Sequence, residues 1–410
     1  MTLCLFFENC MFVPPFKAKL QKAMHFSGSI RSRLPGTGTS IFSVMSKLAI
    51  EHNAVNLSQG FPDFECSPEL TDLVCKAMKE NKNQYAPMPG VIGLREVIAA
   101  KTESLYGAVY HPDTEVTITA GATQAIFTAI LSCIHPGDEV IIIQPAYDCY
   151  APAVEMAGGK VVTVDLQFPD YKLNWHEVRG KVNSLTRMII VNTPNNPACT
   201  IFSEEDILSL IEITRGTEIV ILSDEVYEHI IFDRQKHFSI TGFPELRERA
   251  FVVSSFGKSF HVTGWKLGYI VAPEKLMSEF RKVHQFNVFS VNTPMQYAIA
   301  EYLANPEKYL GLGSFYQQKR DFFLALMAHT PFEALSGYGT YFQLMHFGNF
   351  SSLSDKEFAV WLTQKAGVAC VPLSPFYISG MDHKVVRFCF AKKEQTLQEA
   401  GDRLTRFFRS

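Results

Sequence analysis

Seven short apolar runs recur through the middle of the chain, at 115–119, 139–144, 160–166, 187–192, 218–223, 250–255 and 267–272. They are rich in Val and Ile and too short for helices, and helical patterns at 122–133, 203–214 and 225–230 separate several of them. A run that is apolar at every position needs cover on both faces, and strands alternating with helices supply it. The pattern predicts an α/β fold with a mostly parallel seven-stranded sheet in a large domain. Ahead of it, helical spacing predicts helices over about 40–51, 68–81 and 94–105, with an irregular Gly/Pro-rich loop at 56–64. Beyond residue 290 the character changes to helices at 294–303 and 313–329, strand-like pieces at 339–345, 368–371 and 385–390, and an amphipathic helix at 396–408. This predicts a smaller α+β domain. The boundaries expected are a weakly ordered extension at 1–30, an arm at 31–66 packing with the small domain, a large domain at 67–297 and a small one at 298–410.

Composition narrows the class. With 410 residues, 47% hydrophobic and 19% charged, the chain is long and apolar enough to bury a large core. A net charge of -3 offers no basic field for nucleic acid. Nine scattered cysteines, an odd number without a CxxC pair, argue against a disulfide framework and against a metal cluster. No stretch is apolar for long enough to span a bilayer. The first residues are apolar but lack a basic start and a small-residue cleavage site, so they do not read as a signal peptide. A cytoplasmic protein is expected, with Met24 a candidate true start.

Ligands of open α/β sheets bind at the carboxyl ends of the strands, so the residues after each run carry the chemistry. AGATQ at 120–124 opens a helix with small residues, where Gly121, Ala122 and Thr123 expose backbone N–H groups suited to phosphate. Tyr147 follows the second run and can stack on a planar ring. TPNNP at 193–197 offers the Asn196 amide, and SDEVYEH at 223–229 offers Asp224 and Tyr227. The last stretch, 254–268, holds Lys258 in a Ser/Gly-rich loop, flanked by Ser255 and Lys266 as phosphate ligands. An amine that reacts with an aldehyde cofactor needs such a place, away from bulk water and free of a carboxylate. Each feature has an ordinary reading too: a helix start, a packed tyrosine, turn chemistry, a helix cap at Asp224, two solvated lysines. Arising in order along one sheet edge, they point together to one cofactor site.

These residues, with NLSQGFPDF at 56–64, QYAPM at 84–88, SSFGK at 254–258 and VVRFCFAK at 385–392, resemble the fold-type-I pyridoxal-phosphate aminotransferases of class I/II, in the kynurenine-aminotransferase-like branch. The resemblance runs from about Ser32 to the C-terminus. It implies pyridoxal 5'-phosphate bonded to Lys258, with Asp224 on the ring nitrogen and Asn196 and Tyr227 on the phenolic oxygen. It also implies Tyr147 on the ring face, and Ala122, Thr123, Ser255 and Lys266 on the phosphate. Tyr85 is expected to reach in from a second subunit, Arg387 to take the substrate carboxylate in a bidentate fork, and Gly60 to leave room for it. The chain departs from the broader pattern at Lys266, where an arginine is common, and at Ala198-Cys199 in place of Thr-Gly, where the cysteine is expected to perturb the turn.

The stretch 286–292, including Phe289, carries no charge and is expected to complete the partner's site. With Ile41 and Phe42 of the arm it implies an apolar, aromatic side-chain pocket. Transamination of methionine, aromatic or kynurenine- and glutamine-like amino acids with an α-keto acid, by a ping-pong mechanism in a homodimer, is the expected function. Two alternatives stand beside it: a β-lyase acting on cysteine conjugates or cystathionine, and a non-catalytic regulatory module. The second lacks the DNA-binding helices such a module would carry.

Overall fold

The computed structural model describes residues 25–409. Most of the expected extension, and the candidate start at Met24, lie outside the described residues. Residues 25–35 fall outside the main compact unit, and they are mostly exposed and form no helix or strand. Gly36–Ser410 forms one compact unit. It opens with the helix Ile41–Glu51, capped by the Ser40 hydroxyl accepting from the Ser43 N–H. The two-residue strand β1 (Val55–Asn56) follows.

The large sheet is built from β2 (Val116–Thr119), β3 (Glu139–Gln144), β4 (Lys160–Asp165), β5 (Thr186–Asn192), β6 (Val220–Asp224), β7 (Ala250–Ser255) and β8 (Gly268–Val271). Its order is β2-β8-β7-β6-β5-β3-β4. Pairing is parallel from β7 to β4, and β8 runs antiparallel to both β7 and β2. The apolar runs are buried throughout β2, β3, β6, β7 and β8, as cover on both faces requires. Helices Ala122–Cys133, Tyr150–Ala157 and Glu274–Asn287 supply apolar cover on one face. Register decides what meets at the functional edge. Thr119 and Ser255 both sit opposite Gly268, and Asn192 sits opposite Asp224.

The remaining strands are β9 (Glu333–Ala334), β10 (Phe342–His346), β11 (Val368–Ala369), β12 (Val371–Pro372) and β13 (Val385–Cys389). A four-stranded antiparallel sheet runs β12-β13-β10-β9, and β11 pairs parallel with β1. The helices Asp355–Lys365 and Glu394–Arg409 belong to this part. No described helix is long and apolar enough to cross a membrane.

One predicted helix is absent. Residues 225–230 form tight turns, with Glu228 N–H donating to Glu225 and Ile230 N–H to Tyr227 three residues back. The chain there is drawn into an irregular pairing, Phe232 N–H with Tyr338 and Thr340 N–H with Ile230, which a helix cannot make.

Candidate active site

The carboxyl edge of the large sheet surrounds a cavity of ≈ 170 Å³. Gly121, Ala122, Thr123, Tyr147, Asn196, Asp224, Tyr227, Ser255, Lys258 and Lys266 all line it. They come from six separate loops and strand ends, so the sheet alone brings them together.

Lys258 sits in the single helical turn Phe256–Ser259 that follows β7. Its Nζ donates to the Tyr341 hydroxyl at 2.9 Å and to the Gly60 carbonyl at 3.4 Å, and it makes no ion pair among the described residues. Burial pushes its ammonium down to about 8, and Arg387 and Lys266 act in the same direction. Nearby Cys389 and Asp224 oppose that shift. A primary amine in this setting is substantially neutral, and nucleophilic, near pH 8.

Asp224 ends β6 and is buried. One carboxylate oxygen accepts from the Tyr150 hydroxyl at 2.6 Å and the other from the Val226 N–H at 3.3 Å. That second bond is the capping role the sequence allows, made to a turn where the helix was expected. Desolvation raises the carboxyl to about 6, with the Tyr150 bond holding it lower than burial alone would. No cation is paired with it among the described residues.

At the other end of the cavity, Gly121 has φ +79° and opens the helix Ala122–Cys133. First-turn N–H groups of a helix have no carbonyl within it to reach. Lys266, itself left-handed at φ +53°, brings its side chain against them: a Cβ on Gly121 would lie 3.6 Å from Nζ. Ser255 faces the same space. This end is built for an anion.

Arg387 of β13 is 1% exposed and has no carboxylate ion pair among the described residues. Its Nη1 donates to the Asn196 side-chain oxygen, while Nε and Nη2, though buried, have no hydrogen-bond partner among the described residues. The guanidinium lies 3.8 Å from the Phe342 ring centre and 5.4 Å from those of Phe42 and Phe376. Two unsatisfied donors on a buried fork are costly unless a bidentate anion meets them. The Asn196 turn keeps its shape despite the departure beside it. Cys199 takes φ +63°, the conformation a glycine would serve, and its Sγ lies 3.3 Å from the Pro197 and Phe342 carbonyl oxygens. The Asn195–Thr200 and Cys199–Asn195 backbone bonds both form, so the expected perturbation is absent.

Gly60 borders the site through its carbonyl, and a Cβ there would meet Phe342 at 2.8 Å. Tyr85, Phe289 and Ile41 stand apart from the cavity lining. Tyr85 and Phe289 meet edge to face at 5.4 Å on an exposed surface, and Ile41 begins the arm helix. Two residues with a place in the site escape a sequence reading. Tyr150 lies three residues after Tyr147, the only hint of its direction, and Tyr341 is one tyrosine within an apolar strand-like run.

The family model for aminotransferase class I and II matches residues 52–404. The methionine aminotransferase of Escherichia coli K12 is 49% identical over 375 residues, covering 91% of this chain and 97% of that one. Kynurenine–oxoglutarate transaminase 1 of Rattus norvegicus is 32% identical over 411 residues, covering 92% and 97%. The solved structure of Escherichia coli YbdL, identified with a methionine aminotransferase function, matches with a TM-score of 0.90 at 49% identity and covers 92% and 99% of the two chains.

Proposed function

The chain belongs to the class I and II aminotransferases, and from that premise we propose that it holds pyridoxal 5'-phosphate in the cavity beside Lys258. We propose as substrates methionine and aromatic, or kynurenine- and glutamine-like, L-amino acids, whose amino group passes to an α-keto acid by a ping-pong mechanism. The enzyme is an aminotransferase, and its family depends on pyridoxal phosphate in general.

The residues fit that cofactor. Asp224 is a buried carboxylate with no cation, suited to a protonated ring nitrogen. The helix start at Ala122 and Thr123, with Ser255 and Lys266, suits a phosphate. Lys258 supplies the amine, Tyr147 the ring face, and Asn196 and Tyr227 the donors for the phenolic oxygen. The bound cofactor supplies an electron sink for the pair released at the substrate Cα. Lys258 Nζ takes the proton from Cα and returns it on the other side of the exchange. Asp224 holds the ring nitrogen protonated. Arg387 orients the substrate through its carboxylate, a task for which lysine lacks the fork.

The observation that carries the reading is Arg387, buried with two unpartnered donors next to Asn196. An amino-acid carboxylate answers that vacancy, and Phe42, Phe342 and Phe376 around it favour apolar substrates. The 49% identity to a methionine aminotransferase supports methionine in particular. We further propose a homodimer in which the exposed Tyr85 and Phe289 complete the partner's site, and a cytoplasmic location.

The test follows the visible absorbance of the purified protein with cofactor while L-methionine is added without a keto acid. Transamination predicts a band that bleaches and returns on adding an α-keto acid. A band that stays, with pyruvate and ammonia released from a cysteine conjugate, would assign a β-lyase instead.

A further inference from the structure

The hydroxyl of Tyr341 has one proton and three polar neighbours, of which the Tyr227 hydroxyl can itself donate. It lies 2.6 Å from the Gly60 carbonyl and 2.9 Å from Lys258 Nζ. A carbonyl oxygen only accepts, so the hydroxyl proton goes to Gly60 and the phenol oxygen is left to accept from the lysine. The loop that carries Gly60 is itself held. Lys392, 3% exposed, donates to the Phe61 carbonyl at 2.7 Å and to the Gln59 carbonyl at 3.4 Å. Three consecutive carbonyls, Gln59, Gly60 and Phe61, are thus gathered by two lysines and a tyrosine. A Cβ at Gly60 would lie 2.8 Å from the Phe342 ring, so a side chain there requires that ring to shift.

We propose that Tyr341 is a positioning residue: it accepts from the free amine of Lys258 and ties it, through the Gly60 carbonyl, to the arm of the protein. The inference rests on the reading of Lys258 as the reactive amine. Its chemical sense is that Lys258 must be released and recaptured in every turnover, and a fixed acceptor gives the released amine one place to wait. The groups facing that amine are Tyr341, Tyr227, Asp224, Lys266 and, from β13, Arg387 and Cys389. Tyr341 is the nearer of its two hydrogen-bond acceptors, the other being the Gly60 carbonyl at 3.4 Å. An acceptor favours the ammonium form, so its removal should make the amine lose its proton at lower pH.

The test is the pH dependence of Lys258 labelling in the full-length, cofactor-free protein. Formaldehyde and cyanoborohydride serve as the probe, with the site read by peptide mass spectrometry. The wild type should be labelled with a midpoint near 8. Tyr341→Phe, with the same shape and no hydroxyl, should move the midpoint down by about one pH unit, the size expected for loss of a bond to a charged donor. 3-Fluorotyrosine at position 341 keeps the hydroxyl and weakens its oxygen as an acceptor. It should give a smaller shift in the same direction and carries the test if phenylalanine is not tolerated. A midpoint that stays or rises in either folded variant overturns the role of Tyr341. A wild-type Lys258 that resists labelling up to pH 10 would instead overturn the reading of Lys258 itself.

Discussion

Two lysines are drawn away from water near β7, Lys101 fully buried and Lys258 half-buried in the turn that follows the strand, and their partners differ in kind. Lys101 donates to Glu228 at 2.8 Å and to the Tyr269 hydroxyl at 3.0 Å, with both ion-pair side chains only 4% exposed. Glu228 accepts in addition from Ser254 at 2.8 Å and from Tyr106 at 2.7 Å. Despite burial, the pair stays ionised: Lys101 is held above its usual value and Glu228 well below its own, each by the other's charge. His229 beside them is driven down to about 3 by burial and stays neutral. Lys258 has a tyrosine and a carbonyl where Lys101 has a carboxylate, and its shift runs the other way. Burial of an amine thus produces an inert strut or a reactive group according to whether a carboxylate reaches it. Asp224 and Arg387, both buried, share with Lys258 an ionisable group that is incompletely answered.

The largest way to break this contrast is Lys258→Ala. Activity should fall by about 10^4-fold or more with the fold intact, since the other amine lining the cavity, Lys266, stands at its anion end beside Gly121. Turnover within tenfold of the wild type would refute the assignment. Asp224→Asn should follow, lowering single-turnover rate by roughly 10^3-fold through loss of the charge that holds the ring nitrogen protonated. At the buried ion pair, Glu228→Gln should leave Lys101 buried and unmatched and cost about 3 kcal/mol in urea unfolding. Lys101→Met with Glu228→Leu should recover most of that loss, and a double variant no better than the single would show that the pair does more than neutralise itself.

Arg387→Lys should act more gently, raising KM for methionine about 10- to 100-fold while kcat changes less, because a point charge replaces the fork. The smallest effect is one of pH. In the cofactor-free protein Asp224 takes up a proton as pH falls through about 6, so a protonated ring should be taken up more weakly at pH 5 than at pH 7.5. The folded state binds this proton more tightly than the unfolded chain, so that uptake does not destabilise the fold. The stability contributed by Glu228, whose folded value is depressed, is retained above about 4.5 and lost only as pH falls further. Weaker cofactor uptake at pH 5, with an unchanged unfolding midpoint of the cofactor-free protein, is the expected result.

What the sequence makes legible follows from the same physics. The strands are readable because burial on both faces leaves uninterrupted Val/Ile runs. Asp224, Asn196 and Lys258 are readable because they stand just past those runs, where a charged or amide side chain needs a reason. Lys101 is not readable, since a lysine in a helix is normally solvated and only the fold shows it under Glu228. Tyr341 and Tyr150 are hidden for a related reason: a tyrosine among apolar residues looks like core until its hydroxyl is traced. The helix Glu274–Asn287 buries only Met277, Phe280 and His284, a stripe too narrow to stand out among its charges. The turns at 225–230 are set by pairing with residues more than a hundred positions away, which local periodicity cannot register.

Ser254 and Ser255 are neighbours in β7, one bonded to Glu228 and the other facing the cavity. Side chains alternate along a strand, so a single residue inserted or deleted within β7 would exchange them. The loop that presents Lys258 would then leave the strand on the wrong side. The enzyme should therefore accept many replacements in β7 and no change in its count, which makes the strand a ruler for anyone trimming, grafting or recombining this scaffold.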